Sequence, residues 1–421
     1  MRRRFGALLA AALLAAAPAR AAEVVLRHNL SGQAAAALIE LANRFNAENN
    51  SDKVAVEHLS MVRDPRQLPH MALLDEEDYQ KFFDTRPRMR SLQQVLAGAG
   101  VKINAAQFYP VIADTVDDAK GRMEALPLAM AIPVLYYNKD AFRKAGLNPD
   151  QPPRTWWEVQ QAAGKLFDAG YRCPLTSSSS AWVHVENLST QHSEPISLRS
   201  RNGREQFSFN SLVHVKHLAL LASWHKSFYF HYFGRGREAD QKFALGECTM
   251  LTSDSALYKR LAGATAFEIG VADLPYYDDV RDAAPGRVLP DGPALWALAG
   301  KKKDEYRAIA RFVAFLLKPE VQKEWVNDTH FLPMTPAAAA SAEGEPEALR
   351  NAVRRLGEKR YMTAARLKLL PGFERVRSIM YEELEAVWAD HKPAKEALDT
   401  AVRRGNDVLR AAPLGLLIEG K

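Results

Sequence analysis

The stretch from Ala131 to Glu158, AIPVLYYNKDAFRKAGLNPDQPPRTWWE, leaves the chain few choices of local structure. Val134 to Tyr137 form a β-branched and aromatic run long enough for one buried strand and too short for a helix. Asn138 is suited to cap a helix, Asp140 puts negative charge in its first turn, and Gly146 supplies the left-handed residue that ends it. Pro152 and Pro153 lack a backbone donor, so Asn148 to Arg154 is a rigid connector and not helix interior. Thr155 and Glu158 then make a capping box, with Trp156 and Trp157 just inside the helix it opens.

The first residues carry Arg2, Arg3 and Arg4, an apolar run from Phe5 to Ala17, and small residues on either side of Arg20. This predicts a secretory signal peptide over 1–21, since the run is too short to span a bilayer. Without a cysteine at the expected cleavage site, a lipid anchor is not indicated. The whole chain has 56 Lys plus Arg against 50 Asp plus Glu; four arginines leave with the signal, giving 52 against 50. The mature protein is nearly neutral, so the alkaline isoelectric point belongs mostly to targeting, and no nucleic-acid partner is expected. A disulfide is the default for two cysteines, Cys173 and Cys248, in an oxidising compartment; two buried thiols are the alternative.

Some 400 mature residues exceed one hydrophobic core, because domains rarely pass about 250 residues. Two lobes are expected. Val24 to Leu26 read as a first strand, and Leu38, Leu41, Ala42 and Phe45 fall at helical spacing after it, the opening unit of a layered α/β lobe. Val159, Ala162, Ala163 and Leu166 suit another helix, and Asn210 is placed as the cap of a third. The aromatic run WHKSFYFHYF at 224–233 reads as core packing. Ser177 to Ser180 reads as a flexible, low-complexity run. Helices are expected over Ile379 to Trp388 and Ala394 to Leu409. No stretch after the signal has the roughly 20 apolar residues of a membrane span.

No phosphate loop, metalloprotease helix or nucleophile elbow occurs. His214 and His217 share a predicted helix face without an evident third metal ligand, so ordinary packing histidines are expected and no cofactor or metal is implied. Gly234-Arg235-Gly236 reads as a loop and not as a dinucleotide fingerprint.

The order strand, NKDAFRKAGL, proline spacer, TWWE resembles the extracellular solute-binding proteins of bacterial ABC importers, and within them the glycerol-3-phosphate binders. RFNAEN at 44–49, WVHVEN at 182–187, GECTM at 246–250, ARFVAFLLKPEVQKEW at 310–325, LPMT at 332–335 and EELEAVW at 382–388 extend the likeness over most of the chain. The resemblance implies a two-lobed periplasmic-binding-protein fold of type II with a ligand cleft between the lobes. It places 22–130 and 290–334 in lobe 1, and 131–289 and 335–421 in lobe 2. It implies a periplasmic monomer that captures a small solute (glycerol-3-phosphate-like, polyol or sugar) and delivers it to an inner-membrane permease, without enzymatic activity. A repurposed protein-binding module and a secreted hydrolase are the alternatives. The two cysteines agree with family positions.

The resemblance also implies a site. Trp182 matches a family tryptophan near the ligand, Glu76 a carboxylate that accepts from hydroxyls, and Gly292 a glycine whose backbone faces the ligand. Other positions depart from the pattern: Asp254 and Phe331 stand where the glycerol-3-phosphate binders have serine and tyrosine, Ser179 where they have tryptophan, and Met130-Ala131-Ile132 where they have a serine-rich segment. Their late arginine falls on Leu369, with Lys368, a candidate ligand-binding cation, and Arg366 near enough in the chain to take its place. A family helix between Val56 and Asp78 is missing. Hydroxyls and a cation are thus exchanged for apolar groups and a carboxylate. An ionised Asp254 facing a phosphate would repel it by about 1 to 4 kcal/mol at effective dielectrics of roughly 80 to 20, so the sequence disfavours glycerol-3-phosphate held in the family manner.

Overall fold

The computed structural model describes residues 22–49, 51–61, 67–74, 88–118, 120–199, 204–339, 346–357, 367, 370, 372–411 and 418–419. The signal peptide at 1–21, Glu76, Arg366, Lys368 and Leu369 lie outside these residues, as do 62–66 and 75–78 of the segment expected to lack a family helix.

The strands in chain order are β1 (Ala22–His28), β2 (Asp52–His58), β3 (Met71–Leu73), β4 (Met89–Arg90), β5 (Pro133–Asn138), β6 (Cys173–Ser177), β7 (Ser197–Arg199), β8 (Glu205–Phe207), β9 (Phe230–His231), β10 (Cys248–Asp254), β11 (Ile269–Asp273), β12 (Leu295–Leu298) and β13 (Ile418–Glu419). They build two main sheets, β13-β4-β12-β3-β1-β2 and β11-β5-β10-β6-β9, with β7 and β8 as a separate hairpin. β1 lies parallel to β2 and β3, which requires crossovers, and the helix Gly32–Glu48 supplies the first. β13 falls within the segment assigned above to the second lobe, yet it pairs with β4 and covers an edge of the first sheet.

The opening stretch folds as its residues dictate. All six residues of β5 are buried, and β10 and β11 pair with its two edges, which explains a run without polar alternation. Asn138 Oδ1 accepts from the Ala141 amide at 2.9 Å, and Gly146 ends the turn at φ 69°. Thr155 Oγ1 accepts from Glu158 N while Glu158 Oε2 accepts from Thr155 N, both at 3.1 Å, closing the capping box. Asn210 does not cap: the helix Leu212–Lys226 starts one residue later from Ser211, and the Asn210 amide donates to Asp399 instead. The late helices are Phe373–Trp388, longer at its start than expected, and Ala394–Ala411.

Each sheet has its own core. In the first, Leu38, Leu41 and Phe45 pack with Phe312, Val313 and Phe315; in the second, Trp156, Leu166 and Phe230 pack with Ile379, Leu384 and Trp388. Trp224 and Phe230, from the aromatic run, are buried there as expected. A third cluster joins Trp296 and Leu74 of the first lobe to Tyr136, Phe243 and Leu251 of the second.

Two segments cross between the lobes side by side. Leu126 pairs with Leu295, Ala129 N donates to Pro293 O, and Ala131 and Asp291 exchange both backbone hydrogen bonds, at 2.7 and 2.9 Å. A third crossing adds the bond from Leu332 N to Met130 O. Gly292 sits in the narrowest part, at φ 143°, where a Cβ would lie 2.1 Å from Ala129 O. Cys173 and Cys248 face each other across the ladder between β6 and β10, with Cα atoms 4.5 Å apart, and form a disulfide. Closing a loop of that length contributes about 4 to 5 kcal/mol in the chain-entropy account.

Behind β6, four histidines are buried together. His184 and His217 share a hydrogen bond at 3.0 Å, His217 meets the Tyr277 hydroxyl at 2.9 Å, His214 lies between Ser189 and Ser211, and His192 Nε2 accepts from Tyr277 N. His214 and His217 thus bond to different neighbours. Burial pushes His184 down to about 3 and His214 to about 4, and lowers His217 and His192, so all four stay neutral in the folded protein near pH 7.

Two outcomes follow. Gly292→Ala combines a backbone conformation that L-residues avoid with a main-chain clash, and should lower unfolding free energy by at least about 2 kcal/mol; an unchanged urea midpoint would show that the crossing tolerates a side chain. For the histidines, the unfolded state titrates near 6.5 and the folded state lower, so stability is full above pH 6.5 and falls as pH drops toward 4. Each histidine adds a slope of up to about 1.4 kcal/mol per pH unit. Urea unfolding at pH 7.0, 5.5 and 4.5 should show this loss, and His184→Phe should reduce the slope by about one proton's share; an identical slope in that variant counts against the assignment.

Candidate functional site

Between the lobes lies a cavity of ≈ 680 Å³. The first lobe contributes Leu30, Ser31, His58, Trp296, Thr329 and Phe331, and the second Ser179, Trp182, Arg237, Lys259, Arg260 and Tyr381. Ser31 precedes the helix Gly32–Glu48 without a side-chain cap bond. Phe331 follows the helix Pro319–Thr329, which His330 ends in the left-handed conformation, and its ring stacks on Trp325 at 5.8 Å.

Of the residues singled out in the sequence, Trp182, Asp254, Gly292 and Phe331 line this one cavity, and Ala131 and Ser179 join them. Glu76 and Lys368 lie outside the described residues. Trp182 opens a π-helical turn, Trp182–Asn187, and both lines the cavity and packs the lobe: it is 4% exposed, and its indole N–H donates to Leu289 O at 3.0 Å. The serine run before it is packed into the lobe. Ser177, Ser178 and Ser180 are buried, Ser178 Oγ donates to Asp240 Oδ1 at 2.7 Å, and Ser179 takes a left-handed φ of 49° beside the cavity.

Asp254 differs most from the sequence expectation. It is not an isolated carboxylate aimed at the solute: Oδ2 lies 2.6 Å from Arg237 Nη1, and Oδ1 accepts from Leu257 N at 3.1 Å. Burial alone would raise its pKa, but Arg237 and Arg260 more than offset that and hold the carboxyl below the usual range. Asp240, behind it, is pushed upward by burial, an effect that Arg237 opposes. Paired with Arg237 and the Leu257 amide, Asp254 does not present the bare charge that would repel an anion.

A second ion cluster stands at the other end of the π-helical turn. Arg377 donates to both oxygens of Glu186 at 2.6 and 2.7 Å and lies 2.6 Å from Asp291. Arg235 Nε donates to Glu385 Oε1 at 2.8 Å, with its guanidinium 5.9 Å from the Tyr381 ring centre. Among the described cavity-lining residues, Arg235, Arg237, Lys259, Arg260 and Arg377 face Glu238, Asp254, Asp291, Asp328 and Glu374, so their formal charges balance and the distribution of charge matters more than the count. Arg235 falls in the segment read from the sequence as a loop, and Arg237 was not singled out there. The available signal was two arginines alternating with glycines, Gly234-Arg235-Gly236-Arg237, directly after an aromatic core run.

The sequence profile of the bacterial extracellular solute-binding proteins matches residues 67–351. The sn-glycerol-3-phosphate-binding periplasmic protein of Yersinia enterocolitica is 33% identical over 407 residues, covering 92% of each chain. Its counterpart from Salmonella typhimurium is 37% identical over 331 residues, covering 76% of this chain and 75% of that one. Among solved structures, the cyclic alpha-maltosyl-1,6-maltose binding protein from Arthrobacter globiformis is similar at a TM-score of 0.68 with 20% identity, over 92% of this chain and 99% of that one. UgpB from Mycobacterium tuberculosis, in complex with glycerophosphocholine, is similar at 0.70 with 18% identity, over 92% and 98%. These structures share the fold, two α/β lobes about a cleft. The chain belongs to the bacterial extracellular solute-binding proteins.

Proposed function

We propose that this chain is the periplasmic substrate-binding component of an ABC importer. In this reading the signal peptide Met1–Ala21 is removed on export, and the mature protein works as a monomer. It captures a small solute between its lobes and presents the closed form to an inner-membrane permease. The lobes would comprise 22–130 with 290–334, and 131–289 with 335–411, while β13 returns to the first sheet.

The observation that carries the proposal is the cavity between the lobes. Its ≈ 680 Å³ suit a small solute, and it combines aromatic faces, Trp182 and Phe331, with polar groups from both lobes. That combination suits a molecule with an apolar face and several hydroxyls. The names of the relatives support a solute of the glycerol-3-phosphate class, and polyols and sugars share its hydroxyl chemistry. We read the protein as a receptor and not an enzyme, as its relatives are.

A solute that binds only the folded state stabilises it by about 2.7 kcal/mol at a hundredfold excess over Kd. A thermal-shift panel of glycerol phosphates, polyols and maltodextrins should therefore raise the melting temperature of the mature protein; a panel with no effect would count against the receptor reading. Binding should also change Trp182 fluorescence. Trp182→Ala should weaken the bound solute by about 1 to 3 kcal/mol, whereas Trp182→Phe, which keeps a ring but loses the bond to Leu289, should weaken it less. Equal affinities in two well-folded variants and the wild type would leave Trp182 a lobe-packing residue only.

A further inference from the structure

One wall of the cleft holds its cations in front of its carboxylates. Arg237 precedes the helix Glu238–Ala244, and Lys259 and Arg260 lie on the short helix Leu257–Leu261 that follows β10. Behind them stand Asp240 and Asp254. The two carboxylate side chains are 8% and 11% exposed, while those of Arg237 and Arg260 are 48% and 41% exposed.

The carboxylates are committed to the protein. Asp240 Oδ1 accepts from Ser178 Oγ and Ser253 Oγ, both at 2.7 Å, and Asp240 Oδ2 lies 3.2 Å from Arg237 and from Arg260. Asp254 spans Arg237 and the Leu257 amide. Lys259, half-buried, lines the same wall and has no carboxylate partner among the described residues. Glu238, the remaining acid here, is turned back against the loop: a Cβ on Gly234 would lie 2.5 Å from its carboxyl carbon. A solute in the cleft therefore meets three cations before two shielded aspartates. The guanidiniums are also held in place before it arrives, which reduces the ordering entropy of recognition.

We propose that Arg237, Lys259 and Arg260 are the anion-recognising residues of the cleft and direct it to solutes bearing a phosphate ester, with Asp240 and Asp254 positioning the arginines. This rests on the receptor reading above and deepens it. The cation missing at Leu369 is replaced from a different part of the chain, and Asp254 acts on the solute through Arg237, favouring the anion.

The test is calorimetric titration of the mature protein with sn-glycerol-3-phosphate, glycerophosphocholine, glycerol and maltose, with each variant checked for an unchanged circular dichroism spectrum. At least one phosphate ester should bind more tightly than glycerol or maltose, and comparison of the two esters separates a monoester from a diester solute. Arg237→Ala and Lys259→Gln should each weaken that ester at least tenfold and change any binding of the neutral compounds less than threefold. Asp254→Asn should also weaken the ester, since it loosens Arg237; a repelling Asp254 would give the opposite sign. Ester binding that survives both cation variants overturns the assignment. So does tighter binding of maltose or glycerol than of either ester, an outcome that leaves the receptor reading intact. Failure of all four probes overturns the phosphate-ester assignment, whereas the receptor reading falls only if the broader thermal-shift panel also shows no ligand.

Discussion

Arg377 is the charge about which the cleft is assembled. Its side chain is 3% exposed, and those of Glu186 and Asp291 are 0% and 11% exposed. Ions so far from water are tolerable only while they hold one another, because the desolvation penalty is several kcal/mol per ion and must be offset by close, hydrogen-bonded partners. The partners come from three distant segments. Glu186 belongs to the π-helical turn after β6, Asp291 to the second crossing strand, and Arg377 to the helix Phe373–Trp388. Such a triad adds little net stability over an apolar core, but it leaves those segments little freedom to shift.

Trp182 inherits that constraint. It stands four residues before Glu186 on the same π-helical turn, and Asn187, the last residue of the turn, exchanges hydrogen bonds with Leu289 at 2.7 and 3.4 Å. The Trp182 indole bonds to the same Leu289 carbonyl, two residues before Asp291. A π-helical turn, with its i→i+5 hydrogen bonds, is frequent at functional sites. Here it ties the aromatic face of the cleft to the strands along which the chain passes between lobes.

The local half of this architecture was legible in the sequence. The Asn138 cap, the Thr155–Glu158 box and the buried strand Pro133–Asn138 follow from residues within a few positions of one another, and so does the helix carrying Leu38, Leu41 and Phe45. The cysteine pair could be anticipated from compartment and resemblance, and its seat on adjacent strands appears only in the fold. Asn210 failed as a cap because a tertiary partner, Asp399, took its side chain, and the helix starts from Ser211 without a side-chain cap bond. The serine run looked flexible because small polar residues usually are; it is packed into the lobe instead, and Ser178 Oγ donates to the Asp240 carboxylate.

The candidate site shows the same limit more sharply. Resemblance located Trp182, Asp254, Gly292 and Phe331 on one cavity, but it carried over identities and not pairings. Asp254 and Arg237 are 17 positions apart, and Glu186 and Arg377 are separated by 191. Neither distance leaves a periodic signal. Once such pairs form, the chemical meaning of a lining residue changes. A carboxylate whose oxygens are engaged by a guanidinium and a backbone amide presents little acceptor capacity to a solute, and it fixes the cation that the solute meets. Electrostatic preference in this cleft is therefore set by which charge stands in front. Counting the described lining residues gives equal numbers of each sign, whereas exposure separates them, with Arg237 and Arg260 far more exposed than Asp240 and Asp254.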